Sequence, residues 1–172
     1  MKYGVVAFPS KKLQDVANSY RKRYDPHYEL ITPHITLKDA FEADDAQIKS
    51  MTEEMAKVAN RHKPFSIHAT RVSTFAPLTN TLYFKVDPTP ELVAIHEDLH
   101  SEFFGGAPKF SFVPHITVAQ KLSDSEHADI FGQLKMVGID HEETIDRFHI
   151  LYQLEDGSWT VYDTFRLTGD EV

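Results

Sequence analysis

A chain of 172 residues, 41% of them hydrophobic and none of them cysteine, can bury a sizeable core in one domain but cannot build a disulfide framework, a thiolate nucleophile or a cysteine-ligated zinc or iron–sulfur site. Its formal net charge of −8 argues against tracking an extended nucleic-acid backbone, which takes a basic stripe, and leaves room for a small anion in a polar cleft. The apolar stretch near the N-terminus, residues 3–8, is too short for a signal-peptide core or a membrane span, so a cytoplasmic protein with no membrane partner is expected.

Tyr3-Gly4-Val5-Val6-Ala7-Phe8 reads as a strand, and Pro9-Ser10 starts a helix over 11–24 whose apolar stripe is Leu13, Val16, Ala17, Tyr20 and Tyr24. Asp25-Pro26 ends that helix, and a loop leads to a short strand carrying Pro33-His34-Ile35-Thr36-Leu37. Asp44 and Asp45 are candidate caps for a second helix running to residue 60, with Ile48, Met51, Met55 and Val58 on its inner face. Residues 65–75 and 81–86 predict a hairpin around Ala76-Pro77-Leu78-Thr79-Asn80.

The second half repeats the order. Pro88 and Pro90 open a helix to residue 104, Gly105-Gly106 closes it, and a strand follows at 115–119. A helix over 123–136 carries Asp124 and Glu126 in its first turn, where the helix dipole favours them. Strands 144–154 and 159–167 then predict a hairpin across Glu155-Asp156-Gly157-Ser158, and 169–172 a loose acidic tail. The expected fold class is α+β. Two pseudo-symmetric lobes built from duplicated β-α-β-α-β units, with antiparallel-rich sheets, should face a central groove, and residues 1–172 should form a single domain of two intertwined lobes. Nothing in the sequence fixes an oligomeric state.

Within that repeat, Pro33-His34-Ile35-Thr36 returns as Pro114-His115-Ile116-Thr117. Along a strand the side chains alternate, so His34 and Thr36 share one face while Ile35 and Leu37 take the other, and His115 and Thr117 repeat the arrangement opposite Ile116 and Val118. A repeated tetrapeptide is a weak signal by itself, since two half-exposed strands with polar outer faces give the same pattern. Its weight comes from the matching elements on either side of each copy, which make the pair the candidate active site.

The two His-x-Thr motifs, one in each lobe, resemble the two-histidine (2H) phosphoesterase superfamily, which includes 2′-5′ RNA ligase-like proteins and RNA cyclic phosphodiesterases. Phe112-Val113-Pro114-His115-Ile116-Thr117-Val118-Ala119 is similar to that family's second motif, Pro33-His34-Ile35-Thr36-Leu37 to its first, and Phe75-Ala76-Pro77 to its mid-chain hairpin. The resemblance covers nearly the whole chain. Where RNA ligase-like members often carry a basic residue after the second motif, this chain has Gln120 followed by Lys121. The resemblance implies a phosphoesterase that needs no metal or other cofactor. It would hydrolyse, or reversibly form, a 2′,3′-cyclic or 2′-5′ phosphodiester of a nucleotide or RNA end, or act on ADP-ribose cyclic phosphate.

The chemistry explains the residue types. Opening a cyclic phosphodiester removes a proton from water on one side of phosphorus and delivers one to the leaving ribose oxygen on the other. Histidine, with an unperturbed pKa of about 6.5, lets one copy be neutral and the other charged, which predicts a bell-shaped rate profile with its maximum at about pH 6–8. Thr36 and Thr117 can donate hydrogen bonds to the non-bridging oxygens, where charge builds. Family analogy favours His115 as base and His34 as acid for ring opening, the roles exchanging in reverse. The alternative is a non-catalytic nucleotide-binding module of the same fold, and the presence of both histidines and both threonines favours the enzyme.

A competing motif, His96-Glu97-Asp98-Leu99-His100, matches H-E-x-x-H, the zinc-protease helix signature. It lacks a third ligand, because Phe103 and Gly106 stand at the glycine and histidine places of the extended form, while Asp124 and Glu126 are better explained as helix-start residues. Leu92, Ile95, Leu99 and Phe103 already supply a core stripe for that helix. Lys38, Arg71, Lys85, Lys121 and Arg147 are candidate phosphate cations or solvated surface charges. His27, His62, His68, His127, His141 and His149 show no ligand spacing or partner. Trp159, Tyr152 and Tyr162 fit cross-strand packing.

Overall fold

The structure, a computed structural model, describes residues 1–169, so the acidic tail expected at 169–172 lies outside the described residues beyond Gly169. In chain order the elements are β1 (Lys2–Ala7), α1 (Lys11–Tyr24), β2 (Ile35–Glu42), α2 (Asp45–Asn60), β3 (Phe65–Thr74), β4 (Leu82–Val86), α3 (Pro90–Asp98), a 3₁₀ turn (Glu102–Phe104), β5 (His115–Ala119), α4 (Asp124–Val137), β6 (His141–Ile145), β7 (Arg147–Gln153) and β8 (Trp159–Arg166). The helix starts follow side-chain chemistry. Ser10 accepts from Leu13 N–H, Thr89 accepts from Leu92 N–H with Pro90 behind it, and Asp44 with Gln47 and Ser123 with Glu126 close reciprocal capping boxes.

The strands form two antiparallel four-stranded sheets, β2-β1-β7-β8 and β5-β4-β3-β6, as the α+β reading expected. Each His-x-Thr strand is therefore the edge of its own sheet, and β2 and β5 lie against each other. The lobes exchange parts. β3, which follows the first lobe's helices, pairs in the sheet of β4 and β5, while β7, from the end of the chain, pairs with β1. Helix α1 likewise packs on β5 and sets Tyr20 edge-on to Phe84 of β4. Fully buried Phe84 and Phe148 mark the two sheet cores, and Leu13, Ile35, Leu37, Ile116 and Val118 fill the space between helices and edge strands. Among the described residues, no helix is long and apolar enough to cross a membrane.

Two expected elements are corrected. The helix expected to run to residue 104 stops at Asp98, because His100 Nδ1 donates to the His96 carbonyl at 2.7 Å and takes the place of the next helical N–H, which bonds to Glu97 O instead. Gly105, at φ 105°, then ends the 3₁₀ turn in the left-handed conformation that glycine adopts without a Cβ penalty. The single strand expected over 144–154 is two strands in different sheets, broken at Asp146. Burial slips phase there, from Ile145 to Phe148 and Ile150, and Asp146 holds the crossing point by accepting Leu167 N–H at its carbonyl and Arg147 at its carboxylate.

Candidate active site

Both motif histidines are held in the same way. His34 Nδ1 donates to the Thr32 carbonyl at 2.8 Å and His115 Nδ1 to the Val113 carbonyl at 2.6 Å, in each case two residues back across a buried proline. A carbonyl only accepts, so each neutral ring carries its proton on Nδ1 and presents Nε2 as the free nitrogen. Ile35, Leu37, Ile116 and Val118 are buried while His34, Thr36, His115 and Thr117 are half-buried, which is the alternation expected on both strands. His115 opens β5 opposite Lys85 of β4, and His34 stands one residue ahead of β2.

Thr36 and Thr117, one from each sheet, line a cavity of about 300 Å³ together with His34. His115 opens on an adjoining cavity that shares the Thr36 and Asp39 walls. The histidines stand near enough that a charge on His115 disfavours one on His34. Irregular pairing shapes this meeting point. Val6 faces Thr36 and Val5 faces Lys38, and the register slips again before Tyr3 faces Phe41, so β2 carries extra residues against β1. Bulges of this kind re-aim side chains, and here consecutive Lys38, Asp39 and Ala40 all reach the cavity wall. The Lys38 ammonium donates to the Phe104 carbonyl at 3.1 Å and lies 5.8 Å from the Phe41 ring centroid.

Burial lowers the pKa of both rings. His34 is pushed down to about 4, first by burial and then by the Arg21 and His115 charges. His115 is also lowered by burial, with the Val113 hydrogen bond and the Asp39 carboxylate pulling the other way. Their neighbours differ. The His34 cavity includes a network of Arg21, Asp25, His27 and Gln120: Arg21 donates to Asp25 Oδ2, Asn18 Oδ1 and the His27 and Ile31 carbonyls, while Asp25 Oδ1 accepts from His27 N–H and Gln120 Nε2. His115 instead meets rings, with Phe75 edge-on at 5.0 Å and Tyr83 at 5.1 Å.

Sequence reasoning missed that network and left His27 without a partner; Gln120 Nε2 donates to its Nδ1 at 3.0 Å. The other five histidines set aside with it are paired as well, His62 with Asp98, His68 with Asp140, His127 with Thr74, His141 with Glu143 and His149 with Thr164. Trp159, expected only in cross-strand packing, lines the His34 cavity, where its N–H donates to the Leu30 carbonyl through the backbone. Tyr152 and Tyr162 do pack edge-on to each other, 5.9 Å apart. Of the candidate cations, Lys38 reaches the groove and Arg147 is held by Asp146.

His96 and His100 are neighbours, with ring centroids 4.2 Å apart. Among the described residues no three His, Asp or Glu side chains gather in a way that could hold a metal ion. Asp124 accepts from Asn80 Nδ2, and Glu126 completes the cap of α4.

Two antiparallel four-stranded sheets packed with helices make a LigT-like α+β fold. The chain superposes on TT0787 of Thermus thermophilus with a TM-score of 0.75 at 15% identity, covering 99% of this chain and 100% of that one. It superposes on E. coli LigT complexed with 3′-AMP with a TM-score of 0.72 at 13% identity, covering 97% and 98%. At such identities the likeness is one of fold. A protein of Bacillus pumilus (strain SAFR-032), provisionally named a phosphoesterase, is 56% identical over 171 residues, 99% of each chain. Residues 8–157 match the profile of the 2′-5′ RNA ligase superfamily, and the chain belongs to that family of two-histidine phosphoesterases.

Proposed function

We propose that this protein is a phosphoesterase that opens, or in reverse forms, a 2′,3′-cyclic or 2′-5′ phosphodiester of a nucleotide or RNA end, with His34 and His115 transferring protons and Thr36 and Thr117 binding the phosphate. One observation carries the reading. His34 and His115, each held at Nδ1 by the same hydrogen bond two residues back, line two adjoining cavities that share Thr36, and Thr117 lines the first of them. In ring opening, one neutral imidazole takes a proton from water as its oxygen attacks phosphorus, and the other, protonated, gives its proton to the departing ribose oxygen. The threonine hydroxyls donate to the non-bridging oxygens as charge accumulates there. Proton transfer and hydrogen bonding complete the reaction, so the scheme routes no step through a metal.

The surroundings also suggest how the roles divide. Burial, Arg21 and the His115 charge oppose a proton on His34 more than the Thr32 hydrogen bond and Asp25 favour it, while the Val113 hydrogen bond and Asp39 partly offset burial at His115, so the first proton taken up by the resting pair belongs on His115. That makes His34 the base and His115 the acid for ring opening, the reverse of the family-based expectation, and the two exchange when the reaction runs backward. The test is a screen of 2′,3′-cyclic nucleotides and 2′-5′ dinucleotides with wild type beside the His34→Ala/His115→Ala double variant. Turnover by wild type that survives EDTA and is absent from the double variant is expected. Equal activity in the two proteins would defeat the reading.

A further inference from the structure

His27 is a second histidine on the wall of the His34 cavity, and the proposed reaction does not use it. The position of its ring proton follows from its neighbours. Gln120 Nε2 lies 2.9 Å from Asp25 Oδ1, and a carboxylate oxygen only accepts, so the amide nitrogen of Gln120 faces Asp25 as a donor. The same nitrogen meets His27 Nδ1 at 3.0 Å, which makes Nδ1 an acceptor and puts the proton of the neutral ring on Nε2. His34 and His115 are the opposite tautomer, since their Nδ1 atoms donate to carbonyls. We propose that His27 Nε2–H is a further substrate-binding donor, given to a non-bridging oxygen of the phosphate on its His34 side. The inference rests on the reading of the His34–His115 pair as a phosphate site.

Three observations support this role. First, the other polar atoms of His27 are all engaged. Its backbone N–H donates to Asp25 Oδ1 at 2.8 Å, its carbonyl accepts from Leu30 N–H at 2.9 Å and from Arg21 at 3.4 Å, and its Nδ1 accepts from Gln120. Among the described residues Nε2–H has no hydrogen-bond partner. A ring held in this way is oriented before a ligand arrives, so binding through it costs little further ordering. Second, the company suits an anion. Thr36, Thr117 and Lys38 line the same cavity, and hydroxyl, ammonium and imidazole donors together match an oxygen that is negatively charged and only accepts. Asp25, a carboxylate of that wall, is already engaged by Arg21, Gln120 and the His27 N–H. Third, the spacing is tied across the lobes. Gln120 directly follows β5, the strand of Thr117, and its backbone N–H donates to the Tyr24 carbonyl at 3.1 Å while its side chain holds Asp25 and His27. A neutral imidazole in this place adds a hydrogen bond without adding a positive charge that would oppose a proton on His34.

The experiment is titration of wild type, His27→Asn and His27→Gln with inorganic phosphate, followed by calorimetry and, in wild type, by the imidazole nitrogen resonances. An asparagine Oδ1 can take the place of Nδ1 and keep the Gln120 contact while the Nε2 donor is lost. A glutamine reaches further and returns an N–H near the Nε2 position. His27→Asn should therefore weaken phosphate binding about tenfold and His27→Gln should keep most of the wild-type affinity. A residue that only holds Gln120 would give the reverse order, which would overturn the proposal. In wild type, His27 should carry its proton on Nε2 before phosphate is added, and that resonance should shift together with those of His34 and His115 as the site fills. A proton on Nδ1 of free His27, or a His27 resonance that stays in place while the other two move, would overturn the proposal and leave the phosphate site standing. If no histidine resonance responds to phosphate, the phosphate-site reading fails and this donor with it.

Discussion

Around His34 the structure gathers charge and hydrogen bonds from Arg21, Asp25, His27 and Gln120, whereas around His115 it gathers the rings of Phe75 and Tyr83. Yet the two tetrapeptides are identical, and the carbonyl two residues back fixes the tautomer of both rings. The comparison separates two tasks. The repeated motif holds each ring by the same hydrogen bond at Nδ1, and the unlike surroundings set how readily each ring takes a proton. In the reaction proposed above, duplication would supply the symmetric part of the chemistry and divergence of the flanking residues the asymmetry that an acid and a base require.

If the tetrapeptides do equal work, then removing either ring should cost about the same. His34→Ala and His115→Ala should each lower kcat on a cyclic nucleotide by about 10²–10⁴, and the double variant should fall little further because the two rings act as one unit. A full-rate His34→Ala protein would mean that the resemblance between the halves has no chemical content.

Arg21→Met attacks one half only. Arg21 and Asp25 are each about nine-tenths or more buried, and the guanidinium serves the Ile31 carbonyl at 2.6 Å, next to the Thr32 carbonyl that orients His34. Removing it leaves Asp25 uncompensated and two loop carbonyls without that donor, so urea denaturation should show a loss of about 3–5 kcal/mol. Among molecules that remain folded, the ring resonances of His34 should move more than those of His115. Equal movement of both would show that the network supports the groove as a whole.

This contrast also explains what the sequence made legible. Elements governed by neighbours in the chain could be read directly: the cap at Asp44, the alternation around Thr36 and Thr117, and the repeat that pairs His34 with His115. The charged half of the site could not. Gln120 meets Asp25 and His27 only because α1 packs on β5, and no local periodicity encodes that contact across the lobes. Trp159 reaches the same cavity because the chain changes sheets at Asp146, and the slip from Ile145 to Phe148 in the buried positions was a readable trace of that change. The early end of α3 depended on a side chain, His100, competing for a backbone carbonyl, which helix periodicity does not register.

The pH profile tests the comparison most finely. Two unperturbed histidines would give a maximum at about pH 6–8. Burial disfavours the charged form, so both rings should gain their protons below the ordinary value of 6.5, His34 only near pH 4. As pH falls, the first proton goes mainly to His115 and the second, resisted by that charge and by Arg21, to His34. The singly protonated pair therefore exists on the acid side of 6.5, and kcat/KM, which reports the free enzyme, should peak there. The two limbs are macroscopic constants of a coupled pair. For kcat the sign reverses: a bound phosphodiester brings negative charge that stabilises an imidazolium, so the kcat profile should lie at higher pH than that of kcat/KM. A kcat/KM maximum at or above neutrality, or His34 ring resonances titrating before those of His115, would show that the charged and aromatic halves do not divide the protons in this way.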